Sequence, residues 1–226
     1  MTSTYSEDIG TLPEDAERAT KGERTRKRLL EIAIARFGDR GYRATSVSEI
    51  ARAAGLTQAA AYAYFNSKEA LFDAAVDADA DAAITEAVAQ GAGIPPNELV
   101  PMLLIFFIGN LETHPLVKRV LGGHEPDALK RLINLPALAH LTDTIAARVR
   151  EGQSTGQVRS DLDAEAFSNG AETIILSLML SIVQVGSSTE ARRQMGVLSI
   201  FDAVLRPPQN GSSPLRGATA EQASQP

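Results

Sequence analysis

Few side chains in this sequence have the types and spacing that metal or nucleophilic chemistry requires. The three histidines, His114, His124 and His140, do not have the spacing of a zinc site, and the chain contains no Cys to join them. The sequence has no Gly-rich phosphate loop and no Gly-x-Ser-x-Gly turn. We therefore expect no metal, no cofactor and no enzymatic activity. An enzyme whose Ser, His and Asp meet only in three dimensions is a less favoured alternative.

Asp77, Asp79 and Asp81 alternate as in the first part of a calcium-binding loop. That loop requires Gly at its sixth position and Glu at its twelfth, where this chain has Ala82 and Val88. Alternate residues of a helix also point apart, so we interpret the three carboxylates as ordinary helix residues.

Positive charge is the chemistry that the sequence does concentrate. The whole chain has a formal net charge of −6, but residues 18–68 carry 11 Lys and Arg against four acidic residues, a net charge of +7. A basic segment on an acidic remainder is typical of a protein that presents one end to nucleic-acid phosphates. A solvated charged face would give the same composition, so charge alone leaves both interpretations open.

Residues 45–65, TSVSEIARAAGLTQAAAYAYF, contain the elements that would present this charge. Ser46 and Glu49 form a capping-box pattern that begins one helix, and Thr57 can cap a second. Between them Gly55 can adopt a positive φ, and Leu56 can fill the core between the two helices. This spacing predicts a helix-turn-helix, whose second helix lies in a major groove. An ordinary αα-hairpin is the alternative.

The remaining pattern is helical throughout and predicts an all-α fold. Apolar residues recur at helical spacing, and no strand pattern competes. The predicted helices cover residues 22–40, 46–54, 58–64, 67–90, 97–112, 115–121, 127–133, 136–152, 163–185 and 188–205. Residues 1–21 are expected to form a flexible leader and residues 207–226 a disordered tail. The absence of Cys and of an apolar signal sequence suggests a cytoplasmic location, and the apolar windows fall short of a membrane span.

Residues 24–76 resemble the TetR family of bacterial transcriptional regulators. The matching positions are Thr25-Arg26, Leu29-Leu30, Ala33, Phe37, Arg40-Gly41-Tyr42, Thr45, Val47, Ile50-Ala51, Ala54-Gly55-Leu56, Tyr62, Tyr64-Phe65 and Ser67-Lys68-Glu69-Ala70-Leu71. The resemblance implies a three-helix DNA-binding domain over residues 22–82, with its helix-turn-helix at 45–64. It also implies a helical ligand-binding and dimerisation domain over residues 83–206, where only helicity and length match the family.

The resemblance implies a role for each matched position at the DNA. Thr45 or Ser46 would meet a phosphate at the start of the second helix. The recognition helix would begin with Thr57, Gln58, Ala59 and Ala60, while Tyr62, Tyr64 and Lys68 match family positions that contact phosphates or bases. Arg24 belongs to a basic run, residues 24–28, that would lie near phosphates or, alternatively, form an arm in the minor groove.

The recognition helix departs from the family pattern in three places. Gln58 stands where Lys or Arg is common, Ala61 replaces a larger aliphatic residue, and Ala63 replaces a frequent His or Arg. Only Gln58 can then make a bidentate contact, to adenine, while Ala59 and Ala60 could touch thymine methyl groups. We therefore expect sparse base readout, with phosphate contacts supplying much of the affinity.

In the C-terminal domain the resemblance implies a ligand pocket and a dimer interface. The candidate pocket residues are Met102, Leu103, Phe106, Phe107, Asn110, Leu111, Leu138, Leu141, Ile145 and Ile175; plain core is the alternative for each. Asn110, His114 and His140 could orient a ligand, and the low charge of residues 99–111 suggests an apolar one. The candidate interface residues are Phe167, Ile174, Leu178, Ile182, Leu198 and Phe201, on two helices that could form a four-helix bundle across a two-fold axis.

These expectations combine into one functional hypothesis. The chain would be a homodimeric repressor that binds a palindromic operator and is released by a small, largely apolar ligand, with no membrane partner. The alternative is an architectural or ligand-independent DNA-binding regulator, which a solid core without a cavity would favour.

Overall fold

The computed structural model describes residues 14–186 and 190–207, and their side chains from residue 21 to 186 and from 192 to 207. All regular elements in these residues are helical. They are α1 (Glu14–Ala44), α2 (Val47–Ala53), α3 (Gln58–Tyr62), α4 (Lys68–Gln90), α5 (Pro96–Asn110), a 3₁₀ turn (Leu111–Thr113), α6 (Pro115–Leu121), α7 (Pro126–Leu132), α8 (Pro136–Thr155), α9 (Ala164–Val185) and α10 (Glu190–Leu205). The all-α prediction is confirmed.

Local sequence signals explain where most helices begin. Pro115 and Pro126 occupy the first helical position of α6 and α7, where a missing N–H costs nothing. Asp163 caps α9 by accepting hydrogen bonds from the N–H groups of Glu165 and Ala166, at 2.9 and 3.0 Å. These signals lie at the start of each helix, so the sequence alone predicts where α6, α7 and α9 begin to within one residue.

α1 begins at Glu14, earlier than the predicted Gly22. Residues 14–21 of the predicted leader therefore belong to α1. Residues 1–13 of that leader lie outside the described residues, as does the predicted disordered tail from residue 208 onward.

The chain forms two compact units that do not follow the chain order. Among the described residues, the first unit contains 14–83 and 111–135, and the second contains 84–110 and 136–207. α6 and α7 therefore pack with the N-terminal helices, although residues 83–206 were predicted to belong to the second domain. The predicted domain boundaries concern function and stay a prediction.

The first unit has an aromatic core around the end of α1. Phe72 packs edge-on against Phe37 and Tyr42, with ring centroids 5.1 and 5.0 Å apart. Leu29, Ala33 and Phe37 are fully buried at successive turns of α1. This core fixes the exit of α1 at the point where the chain turns into α2.

The second unit is built on α8 and α9, with α5 and α10 packed against them. Gly152 permits a close approach, because a Cβ there would lie 2.8 Å from the Cβ of Pro96 and 2.5 Å from Cγ2 of Val158. By length and composition, α9 could cross a membrane, whereas its apolar window was expected to be too short. The core helices of soluble proteins meet the same criterion. One third of its apolar window is buried.

A buried polar pair joins α4 to the start of α6 within the first unit. The Asp79 carboxylate accepts hydrogen bonds from the N–H groups of Leu116 and Val117, both at 2.9 Å, and lies 3.0 Å from Nδ1 of His114. Asp77, two residues earlier, instead forms an exposed ion pair with Arg131. His114 thus belongs to the first unit as a partner of Asp79, and not to the predicted ligand pocket.

We expect Asp79→Ala to destabilise the protein by about 3 kcal/mol, because it leaves two buried amides and the His114 ring without their acceptor. Asp79→Asn keeps one acceptor oxygen and should recover part of the loss. Asp77→Ala, which removes an exposed ion pair, is the matched control and should cost about 1 kcal/mol or less. Urea unfolding measures all three. Equal losses of unfolding free energy for Asp79→Ala and Asp77→Ala would contradict the role of Asp79 as the buried acceptor at the start of α6.

Candidate nucleic-acid interface

α2 and α3 form a helix-turn-helix whose first helix is held by a complete capping box. The Ser46 hydroxyl accepts the N–H of Glu49 at 3.2 Å, and the Glu49 carboxylate accepts the N–H of Ser46 at 3.1 Å. The hydrogen bond from the Ser46 N–H, followed by that from its hydroxyl, lowers the pKa of Glu49 below its usual value. The Glu49 carboxylate therefore stays charged at neutral pH, and α2 stays capped.

The turn between the two helices has the geometry that its sequence predicts. Gly55 has a φ of 76°, in the region where a side chain is strained. The Leu56 N–H then donates to the Ala51 carbonyl at 2.8 Å, and Thr57 caps α3 by accepting the Ala60 N–H at 3.2 Å. Ala51 and Ala61 are buried where the helices cross, so the small residue at 61 permits a close approach.

α3 presents the predicted reading residues outward. Thr57, Gln58 and Ala59 are exposed, and Ala60 is half-buried. Tyr62 is 38% exposed and Tyr64 is half-buried, so both rings remain accessible beside the helix. The structure therefore brings Gln58 and the two tyrosines to the surface of one small helical unit.

Two cations lie over aromatic rings at the edge of this surface. Lys68, the first residue of α4, has its Nζ 4.5 Å from the centre of the Tyr42 ring. Arg26 lies 5.0 Å from the centre of the Phe65 ring. Lys68 thus stands at the N-terminus of a long helix, where its charge and the helix dipole both favour an anion. Arg24, two residues before Arg26 in α1, is exposed.

Thr45 does not have the exposure that a phosphate contact requires, and this corrects the sequence prediction. The residue is 2% exposed, and its hydroxyl donates towards the carbonyl oxygens of Gly41 at 2.9 Å and Arg36 at 3.2 Å. The Thr45 side chain therefore bonds to the end of α1 within the core. Of Thr45 and Ser46, only Ser46 is exposed to solvent.

The start of the helix-turn-helix is fixed by residues that the sequence analysis missed. Glu125 accepts the backbone N–H of Tyr42 at 3.0 Å and is itself held by Nε of Arg119 at 3.0 Å. Gly41 has a φ of 83°, and a Cβ there would lie 2.7 Å from Oε1 of Glu125. Glu125 and Tyr42 are 83 residues apart, so no local sequence signal could have paired them.

A cavity of about 630 Å³ lies beside this contact, within the first unit. Tyr42 and Phe72 form its aromatic part, and α7 supplies charged residues such as Lys130 and Arg131. None of the predicted pocket residues lines it.

The predicted pocket residues divide between the two units. Leu111 belongs to the first unit and the other nine belong to the second. In the second unit Leu103, Leu138, Leu141, Ile145 and Ile175 are buried, whereas Met102, Phe106, Phe107 and Asn110 are half-buried. His140 is exposed. The pocket itself stays a prediction.

Half of the predicted dimer residues are buried inside the protomer, and the dimer interface itself stays a prediction. Phe201 is 2% exposed and packs edge-on against Phe167 with ring centroids 6.1 Å apart. Leu178 and Ile182 are also buried, while Phe167, Ile174 and Leu198 are half-buried. The exposed large apolar residues described in the second unit are Met195 and Ile200 on α10, Val185 at the end of α9 and Ile105 on α5.

Glu172 is a further residue of the second unit that the sequence analysis did not single out. It is half-buried on α9, and burial raises the pKa of its carboxyl group.

Residues 29–75 match the family described as bacterial regulatory proteins, tetR family. The match spans the helix-turn-helix with parts of α1 and α4. The chain is 51% identical over 53 residues to the uncharacterized HTH-type transcriptional regulator YdgC of Bacillus subtilis (strain 168), which covers 24% of the chain and 27% of YdgC. It is 44% identical over 61 residues to the HTH-type transcriptional repressor KstR2 of Rhodococcus jostii (strain RHA1), covering 27% and 29% of the two chains.

Those two matches span little more than a quarter of each relative, but a weaker similarity extends further. The HTH-type transcriptional regulator UidR of Escherichia coli (strain K12) is 23% identical over 191 residues, which are 82% of this chain and 95% of UidR.

Solved structures share the fold over most of the chain. A TetR transcriptional regulator from Chloroflexus aurantiacus J-10-FL superposes with a TM-score of 0.64 and 24% identity, over 83% of this chain and 98% of its own. AibR in complex with isovaleryl coenzyme A and operator DNA superposes with a TM-score of 0.52 and 21% identity, over 79% and 98% of the chains. These similarities extend the shared fold beyond the helix-turn-helix into the second unit.

Gly41→Ala should destabilise the protein by about 2 kcal/mol or more. Positive φ strains an L-residue, and the added methyl group would collide with the Glu125 carboxylate. Gly109→Ala is the matched control, because Gly109 lies in α5 with no atom within 4 Å of its Cβ position and should gain up to about 1 kcal/mol. Urea unfolding midpoints measure both. Equal stability of the two variants would show that Gly41 does not fix the end of α1.

Proposed function

We propose that this protein is a TetR-family, sequence-specific DNA-binding transcriptional regulator that acts in the cytoplasm. It represses from a palindromic operator and is released by a small, largely apolar ligand. The observation that carries the proposal is the outward presentation of Gln58 in the first turn of α3, on a unit whose residues 18–68 have a net charge of +7. A buried or acidic α3 could not approach a duplex.

The exposed chemistry of α3 supports sparse reading of bases. Gln58 is the one residue of α3 with a side-chain amide, and an amide can pair with both N6 and N7 of adenine. The exposed Ala59 and half-buried Ala60 offer only methyl groups, which suit thymine. Phosphate contacts from Ser46, the tyrosines and Lys68 would then carry most of the affinity.

The surface of the second unit supports a homodimer. Met195 is 63% exposed and Ile200 is 55% exposed on α10, and Val185 is 64% exposed at the end of α9. Apolar side chains exposed on adjoining helices indicate a surface that another chain covers, and a second copy related by a two-fold axis fits a palindromic operator. Half-sites would lie roughly 34–36 Å apart, or a multiple of this.

The ligand response is proposed from the composition of the second unit and from α4. The candidate pocket residues of that unit are apolar except for Asn110, which suits an apolar ligand with few polar groups. α4 runs without a break from Lys68 to Gln90 and contributes residues to both units. A ligand that displaces α4 would move Lys68, and tenfold release requires about 1.4 kcal/mol of preference for the released state. The shared fold with AibR, solved with both isovaleryl coenzyme A and operator DNA, is compatible with such a response.

Gln58→Ala should relax selectivity at one base pair in each half-site by about 1–3 kcal/mol, because it removes the bidentate contact. Lys68→Gln should instead weaken all duplexes about equally and lower the slope of log K against log salt, since it removes a phosphate contact. Selection of bound sequences from a random duplex pool, followed by titrations, measures both effects. Gln90→Ala, an exposed Gln of the second unit, is the control. Unchanged selectivity in Gln58→Ala would exclude Gln58 as a reader, and no binding to any duplex at low salt would overturn the proposed function.

Met195→Glu should weaken the dimer at least tenfold, because it places an unpaired charge in an apolar interface. Ile133→Glu is the matched control, since Ile133 is also an exposed apolar residue, at 46%, but belongs to the first unit. Sedimentation at several concentrations measures the dissociation constant. Equal effects of the two variants would contradict a dimer formed through α10.

A further inference from the structure

A basic cavity lies in the first unit on the side of α2 that faces away from the protein core. It has a volume of about 410 Å³ and is lined by Arg36 and Arg40 from α1 and by Glu49, Arg52 and Ala53 from α2. Three guanidinium groups therefore face one carboxylate. These arginines lie in the basic segment of residues 18–68, but no sequence pattern assigns them a site.

The single carboxylate of the cavity is already engaged. The Glu49 carboxylate accepts both the N–H and the hydroxyl of Ser46 at 3.1 Å, as part of the capping box. Arg40 approaches it to only 3.8 Å and also lies 3.5 Å from the exposed carboxylate of Asp39. Glu49 uses Oε2 for the cap and turns Oε1 towards Arg40, so this single carboxylate cannot neutralise all three guanidinium groups.

The other two guanidinium groups have no such partner. Among the described residues, the side chains of Arg36 and Arg52 make no hydrogen bond and no ion pair, although Arg52 lies near enough to Glu49 to act on it electrostatically. Arginine keeps its charge at any physiological pH, so the cavity holds two uncompensated cations with their donors available. Planar guanidinium groups match phosphate oxygens in a bidentate arrangement.

We propose that Arg36, Arg40 and Arg52 form a second phosphate-binding site, which takes a phosphodiester of the operator backbone beside α2. This inference rests on the proposed DNA-binding function and adds a contact apart from Lys68 and α3. The first helix of a docked helix-turn-helix crosses the DNA backbone, and α2, which carries Arg52, is that helix. A free phosphate group has the same chemistry, so the experiment separates the two sources.

The test compares full-length Arg36→Gln/Arg52→Gln with the parent protein and with Arg43→Gln. Arg43 is an exposed arginine near the end of α1 that does not line the cavity, so it controls for general loss of positive charge. The measurement is the dissociation constant for a selected duplex between about 50 and 200 mM KCl. Loss of one phosphate contact per protomer should reduce the magnitude of the slope of log K against log [KCl] by about 2 for a dimer. The base preferences should stay unchanged.

Two further variants keep the result interpretable. Arg52→Gln alone changes an exposed residue, so it should preserve folding and give a partial loss of slope even if the double variant unfolds. The double lysine variant, Arg36→Lys/Arg52→Lys, keeps the charge without the planar fork, so it should retain the slope but bind the duplex more weakly than the parent.

A second measurement uses inorganic phosphate in the absence of DNA. Thermal unfolding is followed from 0 to about 50 mM phosphate at constant ionic strength, and the parent should be stabilised more than Arg36→Gln/Arg52→Gln. The assignment to DNA is overturned if Arg52→Gln and the folded double variant both keep the parent's slope of log K against log salt, regardless of the result with phosphate.

The proposed function fails if the parent binds no duplex. Phosphate stabilisation lost only in the double variant would then still support the anion site, and equal stabilisation would overturn it.

Discussion

The backbone turns at Gly41 with a φ of 83°, and the amide that follows it, on Tyr42, donates to a carboxylate 83 residues further along the chain. Glu125 can accept this hydrogen bond because Arg119 holds its carboxylate in place and because Gly41 leaves room for both side chains. The arrangement sets the direction in which the chain leaves α1. Ser46, α2 and therefore the exposed face of α3 depend on that direction.

The first unit supports this turn with polar groups as well as with its aromatic core. Asp79 of α4 anchors the beginning of α6. Arg131 of α7 pairs with Asp73 and Asp77, which also lie in α4. Each contact joins the helix that begins at Lys68 to residues between 111 and 135. Residues distant in sequence thus fix the position of the helix-turn-helix, and this explains why they pack in one unit with it.

The sequence predicts the helices and the reading surface because their signals are local. The Ser46–Glu49 capping box and Gly55 act within a few residues, and both lie where the pattern placed them. Burial depends instead on the whole fold. Thr45 and Phe201 have types that suit an interface, but the packing of α1 and α9 encloses them. The partnership of Glu125 with Tyr42 and the convergence of Arg36 with Arg52 likewise need coordinates, because no spacing rule brings these residues together.

α3 carries its structural and recognition roles on different residues. Ala61 is its one buried residue and packs against α2, while Ala59 and the capping residue Ala63 face solvent with only a methyl group each. Longer side chains at positions 59 and 63 would extend into open space without disturbing the packing at 61. The helix is therefore a permissive scaffold, on which a few substitutions could redirect the protein to new target sequences while its stability stays intact.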